Sequence, residues 1–169
     1  MPSSTLDQSQ FDSIPSCIES FKNGEFLVVL DDPSRENEAD LIIAAESITK
    51  EQMAFMVRHS SGLICAPISA ALTDKYALPQ MVAKTEDPRG TAYTVSVDAS
   101  HESVTTGISA HDRSLACRTL ADPSATAASF RRPGHVLPCY RAPVVSASAG
   151  ATPRPPPSSA AWPARSRRA

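Results

Sequence analysis

Residues 31–40, with the sequence DDPSRENEAD, place five carboxylates and one guanidinium within ten positions. The charged members are Asp31, Asp32, Arg35, Glu36, Glu38 and Asp40. Carboxylates are the ligands that Mg²⁺ prefers, and Mg²⁺ usually takes one or two of them while it keeps several waters. Arg35 could bind an anionic substrate group through its planar fork. The alternative is a solvated loop, because acidic residues mostly face water and Asp-Pro-Ser favours a turn.

Four other positions carry groups capable of chemistry. Residues 105–109, Thr-Thr-Gly-Ile-Ser, combine hydroxyls and a glycine at a predicted helix start, a pattern that can receive phosphate but is more often an ordinary helix entry. Cys65 lies in an apolar segment, where an inert core thiol is the usual role. His59 lies at a predicted helix end, where it would usually partner the helix dipole. His135 follows a Pro-Gly turn that could direct it into a cleft, although a lone histidine is usually structural.

The acidic segment lies between two predicted strands, residues 26–30 and 41–45, which are short, apolar and rich in β-branched side chains. Further strands are predicted over residues 63–68, fully buried, and 91–98, half-buried. Helices are predicted over residues 13–23, 49–59, 70–76 and 109–120, and two of them begin at capping boxes that start at Thr49 and Ser109. Strands that alternate with helices indicate an α/β or α+β domain.

The composition divides the chain into two unequal parts. At 169 residues with 41% apolar content, the chain can form one domain with an ordinary core. All 18 acidic residues precede position 123, whereas 7 arginines and 9 of the 15 prolines lie beyond position 122. We therefore predict a folded domain over residues 13–138, a disordered N-terminus over residues 1–12, and a disordered tail rich in Pro, Ala and Arg over residues 139–169.

Cysteine spacing and the absence of targeting patterns indicate the compartment. The cysteines at positions 17, 65, 117 and 139 form no CxxC pair and no zinc spacing, which fits a reducing environment. The N-terminus lacks the apolar core of a signal peptide, and no apolar run reaches the ~20 residues that cross a bilayer. We therefore expect a cytoplasmic protein without a membrane partner. The tail arginines are scattered among prolines rather than clustered, and no aromatic platform accompanies them, so no nucleic-acid partner is expected.

Six segments between about residue 26 and residue 138 read VVLDDPSRENEADLIIAAE, MAFMVRHSSGLICAPI, LPQMV, GTAYTVSVDA, TTGISAHDR and RRPGHVLP. Together and in this order, they resemble the 3,4-dihydroxy-2-butanone 4-phosphate synthase family of riboflavin biosynthesis. The resemblance implies an α+β sandwich peculiar to that family, working as a homodimer. It also implies a lyase that converts D-ribulose 5-phosphate into 3,4-dihydroxy-2-butanone 4-phosphate and formate, with Mg²⁺ or Mn²⁺ and no organic cofactor.

The resemblance also implies roles for individual residues. Glu36 is similar to a carboxylate that binds the metal and takes part in catalysis, and Glu38 belongs to the same catalytic loop. His135 resembles a histidine needed for activity. The substrate contacts that the resemblance implies are Arg35, Asp40, Cys65 and Thr106. It gives no role to His59 or His111.

The resemblance ends after about residue 138. Family members continue with a glycine pair, a Gly-His-Thr-Glu-Ala motif whose histidine is the second metal ligand, and a further glutamate, none of which occurs in this sequence. Codons allowed for residues 146–156 can spell RERRGHTEAA when they are read from the third base of codon 146. We therefore hypothesise a one-base frame change between about residues 138 and 143, and a transcript whose codons cannot encode the motif would exclude it. The alternative function is an inactive remnant that only dimerises or binds phosphosugar weakly.

Overall fold

The computed structural model describes residues 11–31, 37–88 and 90–140 and the backbone of residues 164–165. The chain divides into two compact units, Met1–Ala44 with Arg154–Ala169, and Ala45–Pro153. The disorder predicted for residues 1–10 and for most of the tail falls outside the described residues. Within the described ranges, no helix is long and apolar enough to cross a membrane.

In the part of the first unit that the structure describes, one helix accompanies a three-stranded sheet. Helix α1, Ile14–Lys22, matches the predicted helix, and the Ser13 hydroxyl caps it by accepting a hydrogen bond from Ser16 N. Strands β1, Leu27–Leu30, and β2, Ala39–Ile42, form an antiparallel hairpin around the acidic segment. The last strand of the chain, β6 at Ala164–Arg165, is short and pairs with the other edge of β1.

Strand β2 begins earlier than predicted, at Ala39 instead of residue 41, and ends at Ile42. The reason is the pairing with β1: Asp40 pairs with Val29, and the amide of Asp31 donates to the carbonyl of Glu38 at 3.0 Å. The backbone ladder therefore extends into the acidic segment. Asp40 therefore lies on a strand because of backbone pairing, which the pattern of apolar residues cannot predict.

In the described residues, the second unit combines three α-helices and a short 3-10 helix, Ala127–Ser129, with a mixed sheet. Helices α2 (Lys50–His59), α3 (Ala70–Lys75) and α4 (Ala110–Ala121) confirm the predicted helices to within a residue or so at each end. The capping box at Thr49 is complete, with Thr49 and Gln52 bonded in both directions. Strands β3 (Cys65–Pro67), β4 (Val97–Ala99) and β5 (Phe130–Cys139) form a sheet in the order β3-β5-β4, in which β3 is parallel and β4 antiparallel to β5.

Three strand predictions in this unit require correction. The central strand β5 was predicted only as a turn, because Pro133 and Gly134 conceal its strand character. The segment predicted as a buried strand over residues 63–68 is a strand only at β3, and it alternates: Ile64 and Ala66 are buried, whereas Cys65 is exposed. The strand predicted over residues 91–98 is reduced to isolated bridges at residues 93 and 94 followed by β4.

The core of the second unit lies where α4 packs against α2 and against β4 and β5. Tyr76, at the end of α3, is 1% exposed, its ring lies 4.9 Å from that of Phe130, and its hydroxyl donates to the carbonyls of Leu120 and Asp122. Burial and the charge of Asp122 raise the pKa of Tyr76, so it remains a neutral donor. The other fully buried core members include Met53, Val97, Ala116 and Val136.

Strands β4 and β5 pair with an irregular register. The register shifts between Val97 and Asp98, whose partners on β5 are Val136 and Arg131, so that residues 132–135 bulge out of the ladder. Gly134 lies in this bulge, where a Cβ atom would be 2.0 Å from the carbonyl carbon of Val97 and 2.2 Å from the amide nitrogen of Asp98. Only glycine allows the two backbones to approach this closely.

The carboxylate of Asp112 organises the entry to α4. Asp112 is 1% exposed, and its Oδ2 accepts hydrogen bonds from Thr105 N (3.3 Å), Thr105 Oγ1 (3.0 Å) and Gly107 N (3.0 Å). Its Oδ1 lies 3.1 Å from His111 Nδ1, and its own amide donates to Ser109 Oγ. Burial alone would raise the pKa of Asp112, but the hydrogen bonds from His111, Thr105 and Gly107 outweigh burial and lower the pKa to about 2.

We expect Gly134→Ala to destabilise the chain by about 2 kcal/mol or more, because the new methyl group would force the backbones of β4 and β5 apart. The matched control is Gly90→Ala, where φ is 69° but no atom lies within 4 Å of the new Cβ. That variant should lose only roughly 1 kcal/mol of stability, which is the cost of holding an alanine in the left-handed backbone conformation. Urea unfolding measures both, and equal losses would contradict the packing constraint at Gly134.

We expect the Asp112 network to stabilise the fold above about pH 4 and to lose this contribution as the pH falls towards 2. The ordinary pKa is 3.8, and lowering it to about 2 on folding favours the folded state by about 2 kcal/mol at neutral pH. Below both values, the carboxyl is protonated in either state. Urea unfolding of wild type and Asp112→Asn at about pH 6 and about pH 2.5 tests this, and a stability difference that does not shrink at the lower pH would refute it.

Candidate functional site

His135 and Asp98 form a hydrogen-bonded pair at the bulge of β5. His135 Nδ1 lies 3.0 Å from Asp98 Oδ2, and the His135 amide donates to Asp98 Oδ1 at 2.9 Å. The side chain of Asp98 is 10% exposed and that of His135 is 39% exposed. A carboxylate that accepts the Nδ1 proton fixes the ring and leaves the lone pair on Nε2. An imidazole held in this way can remove a proton from a bound molecule.

The turn formed by Thr105, Thr106 and Gly107 lies directly against this pair. Gly107 has φ 88°, and a Cβ atom there would be 2.0 Å from Asp98 Oδ2 and 2.6 Å from His135 Nδ1. Any side chain at this position would therefore disrupt the pair. Thr106, the preceding residue, is exposed. The structure thus brings two predicted site residues, Thr106 and His135, into one neighbourhood.

The open face of the β3–β5 sheet extends this neighbourhood to Cys65. Cys65 pairs with Leu137, which is two positions after His135, so the alternation of strands places Cys65 and His135 on the same face. The opposite face is buried and carries Ala66, Val136 and Pro138. The interpretation of Cys65 as a core thiol is therefore wrong, because its position in a short apolar segment conceals the alternation.

Tyr93 and Cys139 lie close to Cys65. Tyr93 forms a bridge with Cys139, and its hydroxyl is 4.0 Å from Cys65 Sγ. Burial, with a contribution from Cys65, raises the pKa of Tyr93 to about 12 and that of Cys139 to about 11. Both groups are therefore neutral at physiological pH and present polar atoms without charge beside Cys65.

The predicted acidic site is only partly described. Glu36 and Arg35 lie outside the described residues, so their predicted roles remain predictions. In the first unit, Glu38 and Asp40 are both exposed, and because they are two positions apart at the start of β2, they point to the same face of the hairpin. Asn37, just before them, has a left-handed φ of 54°, which asparagine tolerates at a turn.

The donor chemistry of the hairpin suits a hard cation. Glu38 and Asp40 offer carboxylate oxygens, which are the ligands that Mg²⁺ or Mn²⁺ prefers. Among the described residues, no group of three or more His, Cys, Asp or Glu side chains could hold a metal ion. This does not test the predicted ligand Glu36.

The phosphate interpretation of residues 105–109 is not supported by the hydrogen bonds. The amides of Thr105 and Gly107 donate to the carboxylate of Asp112, so a side chain of the protein already occupies the place that an anion would take. Only one of the two hydrogen bonds of the predicted capping box at Ser109 is formed: Asp112 N donates to Ser109 Oγ. The Asp112 carboxylate instead accepts from residues 105 and 107. An ordinary helix entry is the better description.

Sequence reasoning missed Asp98 and Gly107 as members of the site. Asp98 ends the predicted strand TAYTVSVD. This position at a strand end is the only sequence feature that could have indicated a role in the site. The sequence places Gly107 in a possible phosphate turn, whereas its actual constraint is contact with the pair of Asp98 and His135. Neither contact is visible in the sequence because Asp98, Gly107 and His135 belong to three separate segments.

Comparison with known proteins identifies the family. The family model for 3,4-dihydroxy-2-butanone 4-phosphate synthase matches residues 15–153. The synthase of Pyricularia oryzae is 71% identical over 139 residues, which are 82% of this chain and 60% of the relative. The synthase of Candida albicans is 52% identical over 133 residues, which are 79% of this chain and 65% of the relative.

A solved structure agrees with this assignment. The crystal structure of a 3,4-dihydroxy-2-butanone 4-phosphate synthase in complex with two magnesium ions matches with a TM-score of 0.77 and 72% sequence identity, over 78% of this chain and 61% of that one. The predicted mixed fold of helices and sheets is thereby confirmed. The chain spans about three fifths of the length of these relatives. It belongs to the 3,4-dihydroxy-2-butanone 4-phosphate synthase family.

Proposed function

We propose that this protein converts D-ribulose 5-phosphate into 3,4-dihydroxy-2-butanone 4-phosphate and formate, a lyase reaction of riboflavin biosynthesis. The observation that carries the proposal is the pair of His135 and Asp98 on an open face shared with Cys65 and touching the Thr106 turn. Membership of the synthase family gives this arrangement its substrate. The reaction begins with enolisation of the ketose, which requires a base at the carbon next to the carbonyl.

His135 is the base in this proposal. Asp98 accepts the Nδ1 proton, so Nε2 can take the proton from the substrate, and the nearby carboxylate stabilises the imidazolium that forms. The same Nε2 proton can then return to a hydroxyl that leaves as water. Because the Asp98 side chain is largely buried, the pair keeps its orientation through both transfers.

The substrate contacts are proposed on the open face and on the acidic hairpin. Thr106 offers a hydroxyl from the turn whose Gly107 packs against His135, and Cys65 lies on the same face of the sheet as His135. Asp40 accepts hydrogen bonds from sugar hydroxyls, and Arg35 binds an anionic group of the substrate.

We assign the metal to the acidic hairpin, with Glu36 as ligand and Glu38 as a second catalytic carboxylate. A divalent ion, Mg²⁺ or Mn²⁺, would polarise the ketone when bound. The related crystal structure is a complex with two magnesium ions, which favours Mg²⁺ here.

The remaining assignments concern assembly and location. We propose a homodimer, supported by the exposed apolar side chains of Phe55, Leu63 and Ile108 in the second unit. A cytoplasmic location is supported by the four cysteines, all within the described ranges and none in a disulfide. We also propose that the Gly-His-Thr-Glu-Ala motif is missing because of a frame change between about residues 138 and 143, and that correcting the frame would restore the motif.

We expect the purified chain to release formate from D-ribulose 5-phosphate when Mg²⁺ is present and to stop when a chelator removes the ion. Glu36→Gln should lower the rate by about 10²-fold or more, because a ligand is lost. Glu46→Gln, an equal change at an exposed carboxylate outside the loop, should not change the rate.

A second version of the chain, with the shifted frame restored, provides the comparison for that assay. We expect it to be faster, because the motif supplies a further metal ligand. Failure of both versions to release formate while they remain folded by circular dichroism would overturn the proposed function and favour the inactive remnant.

We expect Asp98→Asn to lower kcat by about 10²-fold to 10⁴-fold with a much smaller change in KM, because the amide no longer fixes the Nδ1 proton of His135. Asp74→Asn, on the exposed side of α3, is the matched control and should keep the wild-type kcat. Formate release at saturating substrate measures both variants. An Asp98→Asn protein with unchanged kcat would remove His135 and Asp98 from the mechanism.

A further inference from the structure

The turn that carries Thr106 is held between two carboxylates. On one side, Asp112 Oδ2 accepts three hydrogen bonds from Thr105 and Gly107 at 3.0 to 3.3 Å. On the other side, Gly107 is packed so closely against Asp98 and His135 that no Cβ atom would fit. The turn therefore touches the catalytic pair on one side and a buried anchor on the other.

The anchor is more deeply buried than the histidine that it supports. Asp112 is 1% exposed and lies at the start of α4, a helix of 12 residues that packs against α2 and against β4 and β5. The side chain of His135 is 39% exposed by contrast. If the turn moved, the ring of His135 would gain the space that Gly107 now fills.

We propose that Asp112 is a positioning residue for the reaction, which holds the Thr105–Gly107 turn against His135 and thereby keeps the imidazole paired with Asp98. This inference rests on the proposed function for its catalytic meaning, but the geometry that it concerns can be measured without turnover. Asp112 does not touch the substrate in this proposal. It acts through the turn on both Thr106 and His135.

The state of the His135 ring is a readout that a merely structural role would not change. Imidazole ¹⁵N NMR of the full chain distinguishes a ring with its proton on Nδ1 from one with its proton on Nε2, and the signal that Asp98→Asn alters belongs to His135. We expect the Nδ1–H form in wild type. We expect Asp112→Ala to give mixed tautomers, because loss of the anchor releases the turn. Asp112→Asn should restore the wild-type form, since one amide oxygen can still accept from residues 105 and 107.

His111→Ala is the matched control, because it removes a hydrogen bond to the other oxygen of Asp112 and leaves the turn attached. It should keep the Nδ1–H form of His135. If Asp112→Ala does not fold, Thr105→Val serves instead, because it removes only the hydroxyl donor and should give a smaller shift in the same direction. Wild-type His135 signals in a folded Asp112→Ala protein would overturn the proposal. If that variant does not fold, wild-type His135 signals in Thr105→Val would do so.

The turnover assay separates this proposal from the proposed function. If wild type releases formate, Asp112→Ala should lower kcat by about 10²-fold, and Asp112→Asn should recover most of it. If wild type releases none while the ¹⁵N signals respond as expected, the reaction assignment fails and the positioning of His135 by Asp112 stands. Unchanged kcat in a folded Asp112→Ala protein would contradict the positioning role.

Discussion

The second unit depends on the close approach of β4 and β5 at Gly134. Because Gly134 has no side chain, the backbone of β5 can lie against Val97 and Asp98, and the register then shifts by several residues. This shift brings the amide of His135 within 2.9 Å of Asp98 Oδ1 and its ring within 3.0 Å of Oδ2. A single backbone contact therefore forms the bulge and pairs the histidine with its carboxylate.

Two glycines, each for a different steric reason, allow Asp98 and His135 to form their pair. Gly134 lets two strands meet, whereas Gly107 has a left-handed backbone and leaves room for the side chains of Asp98 and His135. The turn that contains Gly107 is held by Asp112. Several hydrogen bonds compensate the cost of burying the Asp112 carboxylate. The pair is thus supported by the sheet on one side and by the start of α4 on the other, as a site that must keep its geometry requires.

Local pattern predicted the α-helices and strand β1 well. The same logic failed for most strands of the second unit. The helices have capping residues and periods that the sequence displays directly, as at Thr49 and Gln52. Strand β5 contains Pro133 and Gly134, which usually indicate a turn, and only its partners β3 and β4 make it a strand. The apolar segment around Cys65 wrongly suggests a core thiol for a related reason, since a three-residue strand is too short for its alternation to stand out from the apolar residues around it.

Six ordered segments and local capping signals were enough to predict the family, the four α-helices and the types of residue available for chemistry, because these signals need no knowledge of distant contacts. The sequence also identified His135, Thr106 and Cys65 as candidates, although it offered no reason for them to meet. The folded chain was needed to show that Asp98 pairs with His135, that Gly107 packs against both, and that the amides of Thr105 and Gly107 donate to Asp112. Those contacts join segments that are far apart in the chain, and no local pattern encodes a register shift between two strands.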